Sequence, residues 1–575
     1  MILKNEDAGT HRLLVLVATL SFLLLTLAII AVYLSPMEGY EYSVYESTPL
    51  VFWIAIITGL AVGILLFVVY YGKSRAMWGL GLFQILFSNY LLVSFYQVKG
   101  FMYIDRFDSM SIVGYAKDIV QSGHFPGTNY YPMGSIMMAS TGELLDQSIY
   151  LMSQLFPALM LTAYIVGMLC WARAISDHPL FAPSMMVASL PILFAGYIPT
   201  IMHQTMMVMM LPLFFYILWR CGNSNRYKIL AAVMIVFFTL GHPLVAVGIV
   251  VILATIIITE TLLKRPVRTV TPPLLLLSIL ALFIWVFSNA VLTKNVEANI
   301  EMLLGVVEGR TTIGAAQGTA SQLGILWVLQ SMLACVIDDI IYAIMAIAVG
   351  VMIFKRRSRP HLMTVVMACF LAGTIFFGAT ALLTYAHNIN RIINLNFIMI
   401  FAVPLVGYLL FTYRKDGKRV LTLLVTVLIA ISLVATVFAV YSDPMQKTPN
   451  GSISRSDVAG ANWFINERPE LLRTHILQSV PWRFADMIYG AEYNKEHLAF
   501  RWNINATTAH FASYYNSSDR GDSDYLVFST FDVDAYTRTW TPINKFTVDD
   551  FVRLDRVEPV GNIYNNGCWM VYWKI

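Results

Sequence analysis

Two carboxyl groups that follow an apolar run have the residue type and position of a general base. The run near 78–98 is followed within a few residues by Asp105 and Asp108, so we expect both side chains at the outer membrane–water interface. A carboxylate that loses part of its hydration there is a better proton acceptor, because desolvation raises its pKa. Asp108 is the candidate base; Asp105 would orient an acceptor or, with Asp108, hold a divalent cation such as Mg²⁺ or Mn²⁺. The alternative is that both are solvated loop acids, one of them paired with Arg106.

Cationic residues in two other outer segments could bind an anionic leaving group. Arg391, next to His387 and Asn388, is predicted at the outer mouth of the twelfth apolar run. A guanidinium binds phosphate through a planar fork of donors, although an arginine at this depth can also be a simple interfacial anchor. Arg310 is a weaker candidate, because its own loop carries three glutamates that could pair with it.

Four further ionisable residues lie in or beside apolar runs, where such residues are candidates for function. His203 and His242 are predicted at the outer ends of spans, and capping of a helical turn is the main alternative for His242, which precedes a proline. Asp338 and Asp339 fall inside the run 327–354. They lie either at the outer mouth, as possible metal or acceptor ligands, or inside the membrane as buried functional acids.

The spacing within the first outer loop resembles a known pattern. Asp108 precedes Gly123 by fifteen residues, an amphipathic helix is predicted over 109–121, and Tyr131-Pro132 opens the approach to the next span. This arrangement resembles the first outer loop of the GT-C superfamily of membrane glycosyltransferases, which take sugars from polyprenyl- or dolichyl-phosphate carriers. Protein O-mannosyltransferases, aminoarabinose transferases and oligosaccharyltransferase catalytic subunits belong to it. The chain looks closest to archaeal members.

The resemblance implies roles for particular residues and also has one departure. It implies that Asp108 is the base. Tyr115, His124 and Tyr131, together with the two histidines named above, are the candidate acceptor or loop residues. Oligosaccharyltransferases resemble one another in a Trp-Trp-Asp-Tyr-Gly block, and Cys568-Trp-Met-Val-Tyr-Trp573 of this chain is not that block. The departure favours transfer of a single sugar over transfer of a whole glycan to asparagine.

The elements that must position these residues are predicted to be membrane helices. The chain has 575 residues, of which 58% are hydrophobic and 13% charged, which excludes a soluble enzyme. Apolar runs of about 20 residues match the thickness of a bilayer core. Thirteen are expected, near 12–34, 50–71, 78–98, 148–175, 182–198, 201–219, 229–241, 244–263, 273–290, 327–354, 362–384, 393–412 and 419–440. The predicted fold class is an all-α polytopic membrane domain with a small α/β domain outside the membrane.

Basic residues indicate the orientation of these spans. Nineteen of the 38 Lys and Arg fall in the predicted cytoplasmic loops and six in the outer loops, which places the N-terminus in the cytoplasm and the C-terminal domain outside a cell membrane. Three Asn-x-Ser/Thr sequons, at Asn450, Asn505 and Asn516, all lie in the C-terminal part, where glycosylation from the outer side is possible.

Two domains are expected, a membrane domain over 1–440 and an extracytoplasmic domain over 441–575. The membrane domain would carry outer loops at 99–147 and 291–326. The second loop contains Gly305, Gly309, Gly314 and Gly318 among small and polar residues, and is either a mobile lid over a lipid-phosphate groove or a long disordered connection. In the C-terminal domain, a helix over 456–467 and strands over 524–529 and 569–573 are predicted.

Together these features favour a membrane glycosyltransferase that uses a polyprenyl- or dolichyl-phosphate sugar donor. Its expected partners are the lipid bilayer and a glycan, lipid or protein acceptor, and the net charge of +4 is too small to indicate nucleic acid. The alternative from another class is a flippase or transporter of a lipid-linked glycan or other anionic substrate. Transporters tend to show internal repeats, which this chain lacks. A non-catalytic scaffold is a third possibility that would leave the acidic loop without a purpose.

Overall fold

The computed structural model describes most of the chain. The described residues are 8–103, 105–191, 196, 198–222, 224–264, 269–304, 312–355, 361–383, 396–468, 473–497, 504–512, 524–556 and 560–574.

The membrane part of the chain is built from helices. They are α1 Ala8–Tyr33, α2 Val44–Ser47, α3 Leu50–Tyr70, α4 Arg75–Lys99, α5 Asp108–Ser122, α6 Pro132–Leu145, α7 Ile149–Ile175, α8 Phe181–Ala188, α9 His203–Cys221, α10 Asn225–Gly241, α11 Pro243–Leu262, α12 Pro272–Ser288, α13 Ala290–Leu303, α14 Thr312–Leu323, α15 Ile325–Lys355, α16 His361–Leu383, α17 Asn396–Lys415 and α18 Arg419–Val437. Within the described residues, nine helices are long and apolar enough to cross a bilayer, or ten if the bent pair α12–α13 counts as one span. The protein is therefore a multi-pass helical membrane protein, and the predicted fold class is confirmed.

One predicted helical span, 182–198, has a different structure. Helix α8 ends at Ala188 after eight residues, which is about 12 Å and too short to cross a bilayer. Pro191 and Pro199 lie in the segment that follows, and proline cannot continue a helix because it lacks the N–H and clashes with the preceding turn. Ser189, Leu190 and Pro191, which follow the helix, are buried in the protein, and burial is how non-helical backbone is tolerated at membrane depth. The Tyr342 hydroxyl donates to the carbonyl of Ala188 at 2.7 Å and satisfies one group at the end of α8.

The break between α10 and α11 lies where the sequence predicts it. Helix α10 ends at Gly241 and α11 begins at Pro243, with His242 in extended conformation between them. Proline suits the first position of a helix because its missing N–H would have no intrahelical partner there. The reading of 229–263 as two helices joined by a tight turn is confirmed.

The acidic pair inside α15 is buried in the protein. Asp338 is 2% exposed and Asp339 5% exposed. The Thr436 hydroxyl on α18 donates to Asp338 Oδ2 at 3.1 Å. The structure thus favours the second alternative for this pair, acids held inside the helical bundle, over ligands open to the outer mouth.

The outer segment 291–326 is largely helical in its described part. Helix α12 bends by 101° into α13, and α14 follows after a gap in the described residues. The expectation of a disordered connection is therefore wrong for the described residues, because their apolar positions repeat at helical spacing along a surface helix.

The C-terminal part is a small α/β domain. Its elements are α19 Arg455–Glu467, β1 Arg473–Ile476, α20 Pro481–Tyr489, α21 Ala491–His497, β2 Ile504–Ala506, β3 Asp524–Ser529, α22 Thr530–Asp534, α23 Val548–Leu554, β4 Val560–Asn565 and β5 Trp569–Lys574. The sheet order is β2-β1-β3-β5-β4, with β1 parallel to both β2 and β3 and β5 antiparallel to its neighbours. The predicted helix and both predicted strands are confirmed.

The two faces of this sheet pack against different partners, as the two-residue period of a strand requires. Leu526 and Phe528 face a core that belongs to the domain itself. Tyr525 and Val527 join the large core that continues into the membrane helices. On this side Trp569 packs edge-to-face against Phe484 of α20 at 5.0 Å. Helix α20 therefore packs between the sheet and helix α5 of the first outer loop.

Arg106 ties that loop to the C-terminal domain. Its guanidinium donates to Asp457 Oδ2 at 2.8 Å and to the carbonyl of Ser452. The central carbon of the guanidinium lies 4.8 Å from the ring centre of Phe531. Arg106 is 2% exposed and Asp457 is fully buried. The alternative in which Arg106 neutralises Asp105 or Asp108 is therefore wrong, because its partner lies about 350 residues along the chain.

The sequon at Asn450 is not a glycosylation site in the folded protein. Asn450 is 3% exposed; its amide donates to the carbonyl of Glu41 at 2.7 Å and its Oδ1 accepts the N–H of Ser452. A glycan on this nitrogen would have no room. Asn505 lies in an exposed part of β2, and Asn516 lies outside the described residues.

Candidate functional site

The candidate base stands at the start of helix α5. Asp108 is the first residue of α5, where the N-terminal end of the helix dipole favours a negative charge. Both oxygen atoms of Asp105 accept backbone N–H groups, from Phe107 and from Ser109, each at 3.2 Å. Burial raises the pKa of the Asp105 carboxyl, and these hydrogen bonds act in the opposite direction. Asp105 thus caps the helix that begins with Asp108.

Asp108 faces outward and has a cationic partner from the C-terminal domain. Its side chain is 58% exposed, and Oδ1 accepts a hydrogen bond from Nη2 of Arg483 at 2.7 Å. The other terminal nitrogen of Arg483 donates to Ser111 Oγ at 2.7 Å. The guanidinium lies 4.1 Å from the ring centre of Trp482, within the range of a cation–π contact. The C-terminal domain therefore reaches the acid directly.

Consecutive charges on α5 hold the junction between α20 and α21. Lys117 donates to the carbonyls of Met487 and Ile488 at 2.6 and 3.1 Å, near the C-terminal end of α20. Asp118 accepts the N–H of Glu492 at 3.0 Å, at the start of α21. A cation at a helix C-terminus and an anion at a helix N-terminus both complement the helix dipoles. Burial lowers the pKa of Lys117 and raises the pKa of Asp118.

The backbones of α5 and α20 are in close contact at Gly114. A Cβ at this position would overlap the carbonyl oxygen of Asp486. The same acid, fully buried, accepts a hydrogen bond from the Ser111 hydroxyl and another from the side-chain amide of Asn494 at 2.6 Å. Only glycine allows the two helix backbones to come this close, so Gly114 sets the distance between α5 and α20.

Two predicted acceptor-side residues of the first loop have local partners. The ring of Tyr115 lies under the ammonium of Lys495 at 4.9 Å, and its hydroxyl accepts a hydrogen bond from that ammonium at 2.9 Å. Tyr115 thus contributes to the docking of α21. His124 is exposed, and its Nδ1 lies 3.1 Å from the carbonyl of Ser122.

The other predicted acceptor-side residues form an aromatic cluster at the starts of α9 and α11 and near the end of α12. Tyr131 stacks on His242 at 4.9 Å and meets His203 edge-on at 5.4 Å. Trp285 donates to the carbonyl of Tyr130 at 3.3 Å. The Nδ1 atom of His203 is buried and has no hydrogen-bond partner among the described residues.

A hydrogen bond connects the start of α5 to this cluster. Ser109 Oγ accepts the N–H of Ile201 at 3.1 Å, and His203 follows two residues later. The structure therefore brings Asp108, Tyr131, His203 and His242 to the same end of the helical bundle. Asp338 and Asp339, buried on α15, are not part of the described site.

The predicted phosphate-binding residues fall outside the described part of the chain. These are Arg391, His387, Asn388 and Arg310. The described residues contain no group of three or more His, Cys, Asp and Glu side chains that could hold a metal ion. Asp108 is paired with a guanidinium and Asp105 is occupied by backbone N–H groups, so these two acids do not fit a divalent-cation site.

Sequence reasoning missed Arg483, Lys117 and Asp118 as members of the site. Arg483 follows Trp482 in a segment of ordinary globular composition, and nothing local indicates a contact with a residue 375 positions earlier. Lys117 and Asp118 are recognisable as a charged pair on the buried face of an amphipathic helix, which was the one available signal.

Comparison with known proteins finds similar structures but no similar sequence. No protein-family model matches the chain, and no curated protein matches it. ArnT from Cupriavidus metallidurans bound to undecaprenyl phosphate is 10% identical, with 87% of this chain and 99% of that chain covered and a TM-score of 0.49. The apo oligosaccharyltransferase from Archaeoglobus fulgidus is 11% identical, with 85% and 71% covered and a TM-score of 0.48. At these identities and TM-scores the likeness assigns neither a family nor an activity to this chain.

Proposed function

We propose that this protein is a membrane glycosyltransferase. It transfers a sugar from a polyprenyl- or dolichyl-phosphate donor to an acceptor at the outer membrane face, and Asp108 is the general base. The observation that carries the proposal is the position of Asp108. It is a more than half-exposed carboxylate at the N-terminus of α5, at the outer end of the helical bundle, with the C-terminal domain packed beside it.

The chemistry requires one proton acceptor and one stabilised leaving group. As the acceptor hydroxyl attacks the anomeric carbon, its proton passes to Asp108 and a new carbon–oxygen bond forms. The bond from the anomeric carbon to the phosphate oxygen breaks, and the lipid phosphate leaves with the electron pair. Preorganised donors stabilise such developing charge best where water is excluded. We assign this role to Arg391, with His387, Asn388 and Arg310 as further candidates.

The remaining site residues have supporting roles in this proposal. Asp105 holds the turn that presents Asp108, because both of its oxygen atoms cap the start of α5. Tyr131, His203 and His242 form an aromatic cluster that the hydrogen bond from Ile201 to Ser109 connects to the start of α5, and its rings suit the faces of sugar rings or the acceptor. No step is assigned to a divalent cation.

A flippase for a lipid-linked glycan is the second candidate, and the observation that favours it is the acidic pair in α15. Buried ionisable residues in a span often mark the path of an ion or substrate. Asp338 and Asp339 are 2% and 5% exposed and lie on a helix that packs against α17 and α18. A transporter would move the lipid-linked sugar between leaflets of a liposome without forming a covalent product.

The decisive experiment compares two Asp→Asn variants. The purified protein, in detergent or liposomes, is supplied with polyprenyl phosphates that carry different hexoses or pentoses and with lipid, glycan and peptide acceptors. Asp108→Asn should lower the rate of transfer by about 10²- to 10⁴-fold, the usual contribution of a general base. The control is Asp146→Asn, an exposed residue at the end of α6 whose left-handed backbone asparagine tolerates well.

Each outcome has a clear meaning. Equal rates in Asp108→Asn and the wild type would contradict the assignment of the base. Movement of the lipid-linked sugar across the membrane without any product, equally in both variants, would replace the transferase by the flippase.

A further inference from the structure

We propose that Arg483 is a positioning residue for Asp108, through which the C-terminal domain makes the membrane-bound acid competent as a base. The inference rests on the proposed function and goes beyond it, because it makes the extracytoplasmic domain part of the catalytic apparatus.

Arg483 belongs to a network that joins two matched helix faces. On α5, Asp108 and Ser111 are three residues apart and share one face; on α20, Arg483 and Asp486 have the same spacing. Ser111 donates to Asp486 and accepts from Arg483, which in turn donates to Asp108. The carboxylate is thus held at the end of a chain of hydrogen bonds anchored in the fully buried Asp486.

The arginine side chain is itself confined. Its two terminal nitrogens point to different partners, and the ring of Trp482 covers one face of the guanidinium at 4.1 Å. The planar guanidinium holds its two donors at a fixed separation, so the nitrogen on Ser111 sets the position of the nitrogen that donates to Asp108 Oδ1. Arg483 therefore restricts the rotation of the Asp108 side chain.

Exposure distinguishes positioning from blocking. The Arg483 side chain is 22% exposed, whereas the Asp108 side chain is 58% exposed. Arg483 bonds Oδ1 of Asp108, and more than half of the Asp108 side chain remains accessible to solvent. A substrate can reach Asp108 without displacing Arg483.

The domain does not need Arg483 for attachment. Arg106 with Asp457, Lys117 with the end of α20, and Asp118 with the start of α21 already hold the two parts together. Among the described residues, Arg483 is the side chain of the C-terminal domain that donates a hydrogen bond to Asp108. Its removal should therefore affect the rate of transfer more than the docking of the domain.

The test uses the full-length protein and three arginine variants. Arg483→Ala should lower kcat by about 10- to 100-fold, the range expected when a reacting group is displaced by about 1 Å, and leave KM for the polyprenyl-phosphate sugar within about twofold. Arg483→Lys should recover part of kcat. Its ammonium can donate to Asp108 but lacks the second terminal nitrogen that donates to Ser111 in the wild type. The matched control is Arg538→Ala, which removes another arginine of the same domain, one that lies over the ring of Tyr42 at 3.5 Å and pairs with Asp534.

The outcomes separate this inference from the proposed function. If the wild type transfers no sugar from any donor, the proposed function fails. If the wild type is active and Arg483→Ala resembles Arg538→Ala in kcat, Arg483 has no positioning role. An increase in donor KM at unchanged kcat would also overturn the inference, since it would make Arg483 a ligand of the substrate. Protease resistance of the C-terminal domain in all three variants shows that the domain is still docked.

Discussion

At the scale of single residues, three neighbouring charged residues of the first outer loop have different environments and partners. Asp108 is exposed, Asp105 caps a helix, and Arg106 between them turns into the C-terminal domain. The sequence predicts that these acids lie at an interface, because that follows from their distance to an apolar run. It could not predict that Arg106 pairs with Asp457 and Asp108 with Arg483, because both partners lie more than 340 residues away.

Asp118→Asn is expected to change the pH dependence of stability. Burial raises the pKa of the Asp118 carboxyl, so the folded chain holds its proton more tightly than the unfolded chain does. The stability from this proton is present below about pH 4, near the ordinary pKa of aspartate, and is lost as the pH rises through the raised value. As the pH rises above about 4, the wild type should thus lose stability relative to Asp118→Asn. Apparent melting temperatures from tryptophan fluorescence check this; parallel curves for the two proteins would contradict it.

At the scale of elements, proline and glycine explain which helix ends were predictable. The break at Gly241 and Pro243 was predicted because both residues interrupt a long apolar run. The end of α8 at Ala188 was missed, although Pro191 and Pro199 lie in the same apolar run, because the length and composition of that run also match a helical span. The contact between α5 and α20 is likewise absent from local sequence, since it depends on the missing side chain of Gly114.

Gly114→Ala should loosen the contact between α5 and α20, although Arg106 still holds the first loop to the C-terminal domain. The added methyl group would overlap the carbonyl oxygen of Asp486, so α20 must move away and Lys117 and Asp118 lose their partners. Limited proteolysis should then cleave the C-terminal domain at least several-fold faster than in the wild type. Gly79→Ala is the control, a helical glycine in α4 with nothing within 4 Å of the added carbon, where alanine should be neutral or stabilising by about 0.5–1 kcal/mol. Equal cleavage of both variants would show that the contact at Gly114 is not needed.

At the scale of the whole molecule, hydropathy and basic residues predict the class of protein, and the helices confirm it. The position of the C-terminal domain over α5 was beyond sequence reasoning, because it depends on many weak polar contacts between distant segments. The orientation in the membrane remains the prediction of the positive-inside rule, with the N-terminus in the cytoplasm and the site outside.

Cysteine labelling tests this orientation. Asp146 follows α6 and Asp416 follows α17; both are exposed. In cells that produce a Cys170→Ser background, a membrane-impermeant maleimide should label Asp146→Cys directly and Asp416→Cys only after the membrane is permeabilised. The reverse pattern would place Asp108 in the cytosol and contradict the proposed function.

Lys117 and Asp118 bind the backbone at the junction of α20 and α21, and this has a consequence for chimeras between related proteins. A chimera that carries the tail of another protein would work only if that tail offered free carbonyls and a free N–H at the same kink. Without these backbone partners, Lys117 and Asp118 would be left partly buried and without hydrogen bonds at the interface with the foreign domain. The two halves of this molecule are therefore expected to be inherited together, as one matched set.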